Sequence, residues 1–109
     1  MARRKLSTTH DVIRDVLKTQ TTDEIEITFE KERNKLTIKG DRVYVLIPYK
    51  KLMILFADGD VVRDNIKHSK DLSSDIDSVL YWSGLEYERC KDLKTGDVVY
   101  AVRRVKSEE

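Results

Sequence analysis

The six residues Leu52–Ala57, LMILFA, decide the fold. They are the longest apolar run in the chain, with Lys50 and Lys51 before them and Asp58-Gly59-Asp60 after. A run this short, closed by turn residues on both sides, marks a strand that is apolar on both faces. A sheet with such a strand in its middle needs cover above and below, from helices or from a second subunit. A homodimer is therefore expected.

Upstream of this run the hydrophobic period is two. Val43, Val45 and Ile47 point one way, Tyr44 and Leu46 the other, and Pro48 ends the strand. Ile25, Ile27 and Phe29 alternate with Glu24, Glu26, Thr28 and Glu30, the pattern of a half-buried strand. Leu36 and Ile38 continue it, and Gly40-Asp41 turns the chain again. The first segment, STTHDVIRDVLKTQ, has period 3.6 instead, with Val12, Ile13, Val16 and Leu17 as its stripe. Ser7, Thr8 or Thr9 caps it, and Asp11 and Lys18 suit its dipole.

Downstream, DVVRDNIKHSK reads as a helix capped by Asp60, with Val61, Val62 and Ile66 as its apolar face. A second short helix starts at Ser73 or Ser74, where Ser74 and Asp77 have capping-box spacing. Ile76, Val79 and Leu80 form its stripe and Gly84 its left-handed stop. LEYERC and DVVYAVRRV make two closing strands. The expected architecture is α+β: a mainly antiparallel sheet of about five strands, packed with an N-terminal helix and two short helices. It forms one domain over residues 7–106, preceded by a basic arm (1–6) and followed by a frayed tail (107–109).

Charged residues make up 38% of the 109, against roughly 25% in an average domain, yet the net charge is only +1. Opposite signs are therefore interspersed, as in a folded, ion-paired surface rather than a disordered polyelectrolyte. High charge with one Gln and two Asn is the composition of proteins from hot environments. A single cysteine, Cys90, excludes an intramolecular disulfide and a cysteine metal cluster, and a reducing cytoplasmic location is expected. No run approaches the ~18 apolar residues of a membrane span, and no apolar stretch follows the basic start as in a secretory signal. No membrane partner is expected.

Catalytic signatures are sparse. Glycine-rich phosphate loops and Gly-x-Ser-x-Gly are absent, so neither catalysis nor a cofactor is expected. Asp58, Asp60, Asp64 and His68 form the one metal candidate, because the last three are four apart and share a helix face. The plainer reading, a cap and a solvated acidic face, is preferred. A restriction-type nuclease core has Asp41 as a first acid but lacks the acid-x-Lys on the following strand. Residues 61–105 resemble the second half of a winged helix–turn–helix, yet residues 58–88 carry eight acids against three bases. Such a helix does not neutralise phosphate.

Positive charge gathers elsewhere. Arg3, Arg4 and Lys5 in the arm, Lys50 and Lys51 in a loop, and Arg103, Arg104 and Lys106 at the last strand are the expected phosphate contacts. Tyr44, Tyr49 and Tyr100 are the candidate stacking faces. On a regular strand Arg103 and Arg104 point to opposite sides. The first expected function is thus a small, non-catalytic nucleic-acid-binding or regulatory accessory protein. The alternative is a protein-interaction module or inhibitor that uses Tyr81, Trp82 and the acidic region 58–88, since Trp82 falls off the helix stripe.

Overall fold

Strict alternation in β1 (Glu24–Glu30) buries Ile25, Ile27 and Phe29 and exposes Glu24 and Glu26. The same period recurs along most of the chain, so the sheet dominates. The computed structural model describes residues 7–67 and 71–104. The other elements are α1 (Thr9–Thr19), β2 (Lys35–Lys39), β3 (Val43–Tyr49), β4 (Leu52–Ala57), β5 (Asp60–Ile66), α2 (Leu72–Ser83), β6 (Glu86–Lys91) and β7 (Val98–Arg103). The arm 1–6 and the tail 107–109 lie outside the described residues.

One antiparallel sheet holds all seven strands in the order β5-β4-β3-β2-β1-β7-β6. β1 to β5 form a meander, and the β6–β7 hairpin returns to the other side of β1. α2 carries the chain from the β5 edge to the β6 edge.

The class is α+β as the pattern predicts, but among the described residues there are seven strands rather than about five, and two helices rather than three. The difference lies in residues 60–66, expected to be helical. Asp58 (φ 53) and Gly59 (φ 92) take the consecutive left-handed conformations of a tight hairpin turn. The chain folds back, pairing Val61 with Phe56, Arg63 with Leu55 and Ile66 with Met53. Two register shifts interrupt this ladder, and Asn65 (φ 58) lies within one of them. Each inserts an extra residue, so the apolar positions of β5 acquire a spacing that imitates a helix.

Local signals explain the helix ends. Thr8 caps α1, accepting from the Asp11 amide at 3.2 Å. Asp71, not Ser73 or Ser74, caps α2, accepting from the Ser74 amide at 3.3 Å. Gly84 (φ 72) stops α2 as expected.

Both helices lie on one face. Val12, Ile13, Val16 and Leu17 of α1, and Leu72, Ile76, Val79 and Leu80 of α2, pack on the inward residues of the sheet. The shortest dimension, 25 Å against 44 and 41 Å, fits one sheet and one helix layer. LMILFA is a strand, with Met53, Leu55 and Ala57 buried. Leu52, Ile54 and Phe56 on its other side are only half-buried, because no described helix covers that face. Among the described residues the cover expected above and below is present on one side only.

The α1–β1 link is tied to the β2–β3 turn by buried Gln20. Its Nε2 donates to the Arg42 carbonyl at 2.9 Å, and its Oε1 accepts from the Arg42 amide at 3.1 Å. Asp41 accepts from the Thr21 and Thr22 amides at 2.8 and 3.4 Å, a structural use for the acid considered as a nuclease ligand. Gly40 is needed for close approach: a Cβ there would stand 2.8 Å from the pinned Gln20 amide and 2.9 Å from Thr22 Cγ2.

Gly40→Ala is therefore expected to lower stability by about 1–3 kcal/mol in urea unfolding; an unchanged midpoint contradicts this packing. The amide of Thr21, above all, holds the Asp41 carboxyl below the ordinary carboxylate range. The folded form thus binds this proton less tightly than the unfolded form. The resulting stability is present above the unfolded carboxylate pKa and is lost as pH falls through the folded value. Asp41→Asn should remove that part of the acid limb in stability measured from about pH 6 down to about pH 2.

Candidate functional site

The buried stripe of α2 runs through Leu72, Ile76, Val79 and Leu80. At about 100° per residue, Tyr81 falls on the opposite side and Trp82 at the margin. Tyr81 is 69% exposed and Trp82 80%. Their rings meet edge to face at 5.1 Å, forming an aromatic ridge.

Hollows flank the ridge. A groove of about 630 Å³ lies between α1 and the C-terminal half of α2. Leu17, Val79 and Leu85 give it apolar walls, Trp82 a further side, and His10, Arg14, Lys18 and Arg104 line it with basic groups. Among the described residues no carboxylate lines it. A hollow of about 440 Å³ on the other side is lined by Asp77, Tyr87 and Arg89 among others.

Polar ties hold the ridge in place. Buried Tyr100 on β7 donates to Asp77 of α2 at 2.7 Å, and Arg89 of β6 approaches the same carboxylate at 3.7 Å. Burial, reinforced by the bond to Asp77, pushes the Tyr100 hydroxyl up from its ordinary value. The Tyr100 hydroxyl and the Asp77 charge raise the Arg89 guanidinium in turn. His10 Nε2 meets Asp75 at 3.3 Å, joining α1 to α2.

The expected phosphate contacts do not gather on one surface. Lys50 and Lys51 form the β3–β4 turn. Arg103 ends β7 at the opposite end of the sheet, a strand length of about 20 Å away. It sits between Glu24 of β1 and Glu86 of β6 on the uncovered face. Arg104 turns the other way, as alternation requires. Its Nη2 donates to the Leu17 carbonyl at 2.7 Å, closing the C-terminus of α1. Arg3, Arg4, Lys5 and Lys106 fall outside the described residues. Tyr44 and Tyr100 are buried in the core and present no stacking face, whereas Tyr49 is exposed.

The acidic candidates also separate. With residues 60–66 in a strand, Asp60 and Asp64 do not share a helix face, and His68 is outside the described residues. Asp58 pairs with Arg42 at 3.0 Å. Among the described residues no group of three or more His, Cys, Asp or Glu is placed to hold a metal ion. The groove residues His10, Arg14, Leu17 and Lys18 escape sequence reasoning because the groove exists only once α1 and α2 lie side by side. Trp82 was legible as an interface anchor, and Arg104 was singled out as a phosphate contact rather than as part of a groove.

Lys50 has φ 58, a left-handed conformation that an ordinary side chain adopts at a cost. Lys50→Gly is expected to raise stability by about 1 kcal/mol, measured by chemical denaturation; a loss instead shows that the lysine side chain supports the turn. Comparisons with known protein families, curated proteins and solved structures found no match to this chain, so its function must be read from its own geometry.

Proposed function

We propose that this protein is a non-catalytic protein-interaction module whose contact surface is the Tyr81–Trp82 ridge of α2. The exposure of Trp82 carries the proposal. A tryptophan 80% open to water on a well-anchored helix contributes little to the core, and tryptophan and tyrosine are favoured anchors where proteins meet. The nucleic-acid reading has weaker support: Arg103 stands between glutamates, Arg104 holds a helix end, and two of three tyrosines are buried.

A second copy of the chain on the uncovered sheet face is a second reading. Val45, Ile47, Leu52, Ile54, Phe56 and Val61 form an apolar half-face there, with Val45 opposite Phe56 and Ile47 opposite Ile54. This is the other side of the LMILFA strand, and a partner sheet would complete its burial.

Trp82→Ala is expected to leave unfolding stability within about 0.5 kcal/mol while abolishing recovery of the partner captured by the unsubstituted protein. Equal recovery by both overturns the interaction reading. So does salt-dependent binding of labelled single- or double-stranded DNA that Trp82→Ala leaves intact. For the dimer, sedimentation should give twice the 12.8 kDa chain mass, with Ile54→Lys returning it to one.

A further inference from the structure

We infer that the groove between α1 and α2 binds an acidic peptide segment carrying a bulky apolar side chain, which names the partner chemistry for the interaction module and rests on that reading. The volume of about 630 Å³ is ample for a few side chains and lies within the range of ligand sites. Leu17, Val79 and Leu85 supply apolar surface against which a leucine or phenylalanine can lose water, and Trp82 forms the adjoining side.

Charge complementarity selects the occupant. Among the described residues, four basic groups and no carboxylate line the groove, in a chain whose net charge is only +1. His10 and Arg14 are engaged by Asp75 at 3.3 Å and Asp11 at 3.6 Å. Lys18 has no ion-pair partner among the described residues. Arg104 gives one N–H to the Leu17 carbonyl and has others to offer, since a guanidinium carries five. Carboxylates beside the apolar side chain meet Lys18 and Arg104.

The same surroundings disfavour a nucleic acid strand. Its phosphates repeat along its length, and beyond the groove they would meet Asp11, Asp75 and Asp77, which adjoin Arg14, His10 and Trp82. A short peptide can confine its carboxylates to the basic stretch.

The single tryptophan is itself the reporter. Trp82 emission would be titrated with a synthetic octapeptide of Glu and Asp around a central Leu-Phe pair. Comparison probes are the same peptide with Ser-Ser at the centre, the same peptide with Lys for every acid, and a single-stranded oligonucleotide of equal charge. Saturable change is expected with the first peptide alone, weakening as salt rises. Lys18→Glu should weaken it about five- to tenfold and Lys18→Gln less, with unchanged circular dichroism. No saturable change with the first peptide overturns the proposal, as does equal affinity for the Lys-substituted peptide, unaltered binding by Lys18→Glu, or a preference for the oligonucleotide. If the peptide fails while Trp82→Ala still abolishes partner capture, the ridge remains the contact surface and only the acidic chemistry of its occupant is lost. If capture is also unaffected by Trp82→Ala, both fall.

Discussion

The two helices among the described residues, of eleven and twelve residues, are too few to cover both faces of a seven-stranded sheet. That shortage governs the rest of the molecule. Each helix has one apolar stripe, and both stripes are spent on the same side, where the inward rows of β1, β2, β3, β4 and β7 are continuous. Placing β7 beside β1 and β6 at the far edge obliges α2 to cross the sheet above β1 to β7. It therefore lies alongside α1, and the seam between them becomes the groove that Trp82 borders.

The uncovered face divides in two along the sheet. One row runs Val61, Phe56, Val45, Thr37, Thr28, Val99 and Cys90 through all seven strands, apolar at the β5 side and more polar beyond β3. Next to it, Glu26 lies opposite Lys39 and Ala101, and Glu24 opposite Arg103. Interspersed charge thus reappears as cross-strand neighbours of opposite sign. Exposed pairs of this kind stabilise weakly, so their main consequence is to dissipate the positive surface that the basic residues suggest when read along the chain.

Fold legibility followed the regularity of each element. The alternation around Ile25, Ile27 and Phe29, the helical stripe Val12, Ile13, Val16 and Leu17, and the stop at Gly84 read directly, because each depends on neighbours within one turn or one strand. Residues 60–66 did not. Two bulges gave Val61, Val62 and Ile66 a spacing that imitates a helix, and the Asp58-Gly59 turn was the better signal. At the site, Trp82 stood out because it missed its own helix stripe. Arg104 stood out only as a phosphate contact and Lys18 only as a helix-dipole partner, since they lie 86 residues apart and their neighbourhood is a product of packing.

What the sequence by itself determined is the local alphabet: where the chain alternates, where it coils, where it turns, and that LMILFA is a strand with two apolar sides. Hydrogen bonding and side-chain period act over a few residues, so they are written in order along the chain. Only the tertiary structure decided which face of that strand receives the helices and which stays open. It also decided that Arg104 faces the helix layer while Arg103 stands between glutamates. Those outcomes depend on strand order and on how far two helices can reach, and both arise from the competition of the whole apolar surface for a limited amount of cover.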